Sequence, residues 1–241
     1  MTRFNYRLDQ DPLFPVGLET NLINRRRGYW TKDPGAVSTI TAANLPAVTA
    51  ATIFNGGADG LVQQGDVAAG PVVTLRAGST ANDRTGVLSA MTQTRFEWDP
   101  DLTIRAVVGN NITNVRYWVG MFSADPSNLS TLSSLSAACF GFDAAVDVTA
   151  FWRCKTGDTS AQFTTVTAIP VVIGQAYILR ITCDKTASLI NFWIDGVLVA
   201  THSSNLPAAA TPLGFGATVT NLTTASVKNF GFSRLVISQK G

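Results

Sequence analysis

Charge is scarce in this chain. Only 14 % of its 241 residues are Asp, Glu, Lys or Arg, against the roughly 25 % usual in soluble domains. The net charge of +2 excludes a broad nucleic-acid footprint, which needs a clustered basic surface. Histidine is reduced to His202, so no Ser-His-Asp site or multi-histidine metal site can be built, and that residue reads as an exposed or edge position at the end of a hairpin. The cysteines are three, Cys139, Cys154 and Cys183, with no CxxC spacing. An odd number without that spacing argues against a complete disulfide framework and against a zinc ribbon, and leaves buried free thiols. No run approaches the roughly 20 apolar residues of a membrane span, and the opening MTRFNYRLDQDPLF carries charges where a secretory segment needs an apolar stretch. The expectation is a soluble product made in the cytoplasm, with no membrane and no nucleic-acid partner. Helical periodicity is missing too, as is any internal repeat of the kind that marks a propeller or solenoid.

What is present is β grammar. With 46 % apolar residues the chain can bury one large core, and sandwiches of this length remain single domains. In LTIRAVVG, Leu102, Ile104, Ala106 and Val108 alternate with Thr103, Arg105 and Val107, as in a strand with one covered face. AYILRITCD repeats the pattern with Tyr177, Leu179, Ile181 and Cys183. VRYWVGMF, residues 115 to 122, is apolar on both faces and belongs in the middle of a covered sheet. Its Arg116 must sit near a strand end or meet a carboxylate. LINFWI and VLVATH flank Asp195-Gly196, a dipeptide suited to a type I′ hairpin turn. VKNFGFSRLVIS closes the chain as a long strand in which Phe230, Phe232, Arg234 and Val236 alternate against Gly231, Ser233, Leu235 and Ile237.

Together these runs predict an all-β protein: a two-sheet antiparallel jelly-roll sandwich over residues 71–241. Residues 1–70 hold Pro12, Pro15, Gly17, Gly28, Pro34 and Gly35 and then a Thr/Ala-rich stretch, and read as an extended N-terminal arm and leader.

The segment YILRITCDKTASLINFWIDGVLVATHSSNLP, residues 177 to 207, resembles the late hairpin of concanavalin A-like lectin and glucanase domains, in which an LRI..D strand precedes a FWIDG..V hairpin. VRYWVGMFSAD, AACFGFD and the closing FGFSRLVIS fit the same strand order. Domains of this type with a short unrelated arm resemble those of tailed-bacteriophage fibres and head decorations. The resemblance implies a virion protein, made in the host cytoplasm, that contacts capsid or tail subunits and assembles as a homo-oligomer such as a trimer.

Each activity that the resemblance brings must be tested on this chain's residues. Glucanases of this type use an ExDxxE strand that sets carboxylates on one sheet face. Glu97 and Asp99 match its first two positions, but Leu102 stands at the third. The pair therefore reads as a turn, and the expectation is no enzyme, no catalytic residue and no cofactor. Asp143 and Asp147 in GFDAAVD could offer two calcium ligands, but six or more oxygens are needed, so ordinary loop solvation is expected and no metal. Glycan binding by stacking would draw on Trp98, Trp118, Trp152 and Trp193. Trp152, beside Arg153 and Lys155, is expected to be the exposed platform, and the other three to pack in the core. In the arm, Arg25, Arg26 and Arg27 followed by Gly28, Tyr29 and Trp30 could lock into an acidic groove on a partner subunit or simply be solvated.

Overall fold

A computed structural model describes residues 26–32, 52–55, 61–67, 70–89, 94–223 and 226–240. Within these, the alternating and doubly apolar runs become strands of two packed antiparallel sheets. The first sheet runs β14 (Val197–His202), β13 (Leu189–Ile194), β12 (Ala176–Asp184), β7 (Asp101–Val108), β16 (Lys228–Lys240), β4 (Gly70–Ala77) and β3 (Leu61–Val67). The second runs β11 (Gln162–Pro170), β10 (Phe151–Asp158), β9 (Ser136–Asp143), β8 (Val115–Phe122), β15 (Pro212–Asn221), β5 (Arg84–Leu88) and β2 (Thr52–Asn55). The sequence expectation of an all-β, two-sheet antiparallel sandwich holds.

The interior is built from the faces that the periodicity marks. Leu102, Ile104, Ala106 and Val108 of β7 and Tyr177, Leu179, Ile181 and Cys183 of β12 pack against Tyr117, Val119 and Met121 of β8 and Phe140 and Phe142 of β9. The rings interlock edge to face: Phe140 on Trp152, Phe140 on Phe192, and Trp152 on Tyr177, a geometry that adds about 0.5–1.5 kcal/mol per pair beyond buried area. The β13–β14 turn takes left-handed conformations at Asp195 (φ 50°) and Gly196 (φ 81°). The Asp195 carboxylate accepts the Ile178 N–H at 2.7 Å, fixing the hairpin against β12.

One strand expectation is modified. β16 is a long strand, but its register shifts between Ser233 and Val236. This bulge reverses the alternation, so Ile237 pairs with Leu102 and packs against the core on the side that Phe230 and Phe232 occupy earlier. TRFEW forms only two strand residues, Thr94–Arg95 (β6), before a 3-10 turn at Phe96–Trp98.

N-terminal to residue 71, three segments join the sheets. β2 hydrogen-bonds to β5, β3 to β4, and β1 (Arg26–Lys32) to the last residues of β16, Leu235 to Lys240. Arg26, Tyr29 and Trp30 are therefore strand positions in backbone register with β16, and Arg27 falls at a register shift between Arg26 and Gly28, while Arg25, the rest of residues 1–25 and the Thr/Ala-rich stretch at 33–51 lie outside the described residues.

Candidate functional site

The chemistry-bearing residues collect on the outer face of the second sheet. β8 and β9 are buried along their whole length, because their outward side chains are covered by the chain itself. Trp118 lies flat over Gly141, where an added Cβ would meet the indole at 2.1 Å. Its Nε1 donates to the Leu129 carbonyl at 3.1 Å. Phe122 lies over Gly216, and the carbonyls of Leu132 and Leu135 sit above Gly157. Segment 123–135 thus passes over Gly157, and its Leu132 and Leu135 form a second apolar cluster with Trp118, Phe122, Ala137 and Cys139. Thr220 donates to the Ser127 carbonyl at 2.8 Å and Arg84 bonds Asn128, tying the segment down at the β15–β5 side.

Next to this cover is a buried charge cluster. Arg116 pairs with Asp143, directly opposite across the β8–β9 ladder, which meets the expectation for that arginine. Arg153 pairs with Asp147. Asp147 also accepts the Asp143 N–H at 2.7 Å, and Asp143 accepts the Ala145 N–H at 2.9 Å. Asp143 and Asp147 are therefore ion-paired and buried, not solvated loop residues. Burial pushes the Asp147 carboxyl above its usual range, against the lowering effect of the Asp143 backbone N–H, Arg153 and Lys155. The Lys155 ammonium lies 4.7 Å from the Trp118 ring centroid, and burial lowers its pKa. Cys139, cross-strand from Lys155, has its thiol pushed up to about 12 by burial. A thiol so protonated is a packing group, not a nucleophile. Cys139, Cys154 and Cys183 are all free and buried, as expected.

The expected glycan platform is overturned. Trp152 points inward, is fully buried and stacks on Phe140 and Tyr177. β10 alternates, so Trp152 and Cys154 enter the core while Arg153 and Lys155 face out, and Arg153 is engaged with Asp147. Trp118 is buried as a core-type residue should be, but under the covering segment and not between the sheets.

The partial carboxylate motif is dispersed. Glu97 sits on the 3-10 turn and pairs with Arg95, which also lies over Trp98 at 5.1 Å. Asp99 is left-handed (φ 46°) and accepts the Lys185 N–H at 2.6 Å. Neither lies in an extended strand. His202 does occupy the edge strand β14, but its ring is buried. Nδ1 is 3.0 Å from Thr156 Oγ1, Nε2 is 3.0 Å from Thr165 Oγ1, and Phe163 and Phe192 close over it. It bolts the edges of the two sheets together, and burial lowers its pKa to about 4. Among the described residues no group of three or more His, Cys, Asp or Glu side chains could hold a metal.

Sequence reasoning missed this cluster. Its trace was the pair Arg153 and Lys155, two cations on one face of one strand, with GFDAAVD placed opposite by the β9–β10 turn.

No protein-family model matches the sequence, and no curated protein matches it. Solved structures match the fold. A family 16 glycoside hydrolase endo-glucanase from Bacteroides ovatus superposes with TM-score 0.57 at 13 % identity, over 86 % of this chain and 99 % of that one. The Emp46p carbohydrate recognition domain gives 0.55 at 8 % identity, over 78 % and 87 %. A carbohydrate esterase from the Shiga toxin-encoding bacteriophage phi24B gives 0.53 at 10 % identity, over 88 % and 100 %. The fold is that of the concanavalin A-like jelly-roll lectin and glucanase domains. At these identities the likeness is one of fold alone.

Proposed function

We propose that this protein is a non-enzymatic structural component of a bacteriophage particle, a head decoration or fibre subunit that assembles as a homo-oligomer such as a trimer. The observation that carries the reading is the closed outer face of the second sheet. Where a hydrolase needs paired carboxylates on an open sheet face, this chain lays its own segment 123–135 over Trp118, Phe122 and Gly157 and locks Asp143 and Asp147 into ion pairs. Low charge suits a surface held against neighbours, and Val146, Val148, Val172 and Ile173 form an exposed apolar end, with the Val171 N–H donating to the Ala150 carbonyl between their turns. The phage esterase of the same fold is compatible with that setting. The role given to the N-terminal segment, docking through Arg25, Arg26, Arg27, Tyr29 and Trp30, is part of the proposal. The test is proteomic: in purified particles from the source culture the chain is expected at a fixed stoichiometry to the major capsid or tail subunit. Its absence from particles, with the protein free in the lysate, would overturn the reading.

A second reading, a carbohydrate-binding adhesin, draws on the carbohydrate-directed proteins among those of the same fold. A glycan array with the full-length protein separates the two, since saturable binding to neutral glycans favours the adhesin.

A further inference from the structure

In the cluster on the outer face of β8, β9 and β10, three cations meet two carboxylates. Arg116 is matched by Asp143 and Arg153 by Asp147, and Lys155 has the Trp118 ring but no acceptor. The residue is 97 % buried, being 3 % exposed. An ammonium has three donors, and no side-chain or backbone oxygen of the described residues accepts from this one. Directly across the ladder stands Thr164, whose hydroxyl is buried without a hydrogen-bond partner. Two places along β10 is Arg153, with 12 % of its side chain at the surface. The Arg153 fork contacts Asp147 through Nε, which leaves its terminal N–H groups for a second acceptor.

We propose that the Lys155 ammonium, the Thr164 hydroxyl and the Arg153 guanidinium form a binding site for one carboxylate group. That group is offered either by a small organic acid or by the acid function of a uronic or sialic sugar. The site does not depend on the virion reading. A carboxylate here supplies the missing negative charge, accepts from Lys155 and Arg153, and pairs the Thr164 hydroxyl. The groups that already act on Lys155 are the Cys139 thiol, Asp147, Asp143 and Arg153, and none of them places an acceptor on its amine. Burial lowers the Lys155 pKa, so a bound anion is expected to raise it again.

The experiment is a titration of the full-length protein with sodium acetate, sodium glucuronate, glucose and sodium chloride at constant ionic strength. It reads the thermal midpoint and the 13Cε shift of Lys155 against pH. Acetate or glucuronate is expected to raise both midpoints saturably, with glucose and chloride inert. In Lys155→Met, whose stem still covers Trp118, the thermal response is expected to vanish. Glucuronate binding at least tenfold tighter than acetate assigns the site to an acidic sugar, and the reverse order assigns it to a free acid. Equal responses to chloride, an unaltered thermal response in Lys155→Met, or a Lys155 titration untouched by either acid overturns the proposal. Where Lys155→Met does not fold, the lysine titration of the unsubstituted protein decides alone.

Discussion

The two sheets treat their outer faces differently. On the first, β12 and β13 alternate strictly between buried and half-buried positions, and the outward side chains, such as Thr182 and Arg180, stand at the surface. On the second, β8 and β9 have no exposed position, because segment 123–135 and the charge cluster cover them. The same strand geometry thus yields two sequence signatures: alternation where one side meets solvent, and unbroken apolar or small residues where both sides are covered. The lesson is that the doubly apolar run VRYWVGMF reports a cover as well as a central place in the sheet, and in this fold that cover lies where a sheet-face site would otherwise be open.

Substitutions that break the contrast are ranked by how deeply each face is closed. Asp143→Asn leaves the Arg116 guanidinium buried without its counter-charge and is expected to cost about 3–5 kcal/mol, measured by urea unfolding. A loss below about 1 kcal/mol would mean that water reaches the pair. Gly141→Ala drives a methyl into the Trp118 ring and is expected to cost roughly 2–3 kcal/mol. Combining it with Trp118→Leu should recover part of that loss, and an additive double variant would argue against the contact.

Acid sharpens the comparison at the seam between the sheets. The folded protein holds His202 neutral down to about pH 4, below the ordinary histidine value of 6.5, so the unfolded chain takes up this proton first. Stability from this group is complete above pH 6.5 and falls as pH drops from 6.5 towards 4, by roughly 2 kcal/mol. The difference between urea midpoints at pH 7.5 and 4.5 should shrink in His202→Gln. An unchanged difference would place the acid sensitivity elsewhere. Smallest of all, Thr182→Ala on the open face of the first sheet is expected to stay within about 0.5 kcal/mol, and a cost above about 1.5 kcal/mol would show that this face too is covered.

Much of the architecture was legible because strand faces and the Asp195-Gly196 turn are local signals. The core faces of β7 and β12, the hairpin and the partner needed by Arg116 could all be read from spacing of two and from burial logic. The bulge in β16 could not, since nothing in SRLV marks where the alternation reverses. Trp152 was misread for a related reason. Its neighbours Arg153 and Lys155 suggested exposure, but in a strand adjacent residues face opposite ways, so two cations outside argue for a tryptophan inside. His202 was misread because its burial depends on Thr156 and Thr165, which reach it across the sheets. The loop-solvation reading of Asp143 and Asp147 failed because Arg116 and Arg153 come from other strands. The strands N-terminal to residue 71 are short and rich in Thr, Gln and Gly, and their pairing depends on partners far along the chain.

The central claim, that segment 123–135 closes the outer face of the second sheet, is tested most directly by hydrogen exchange of the Trp118 indole N–H. Bonded to the Leu129 carbonyl beneath this cover, it is expected to exchange orders of magnitude more slowly than a free indole, by way of local or global opening. Exchange at the free-indole rate would mean that the face is open, and the account of this jelly roll as one with a closed outer face would be wrong.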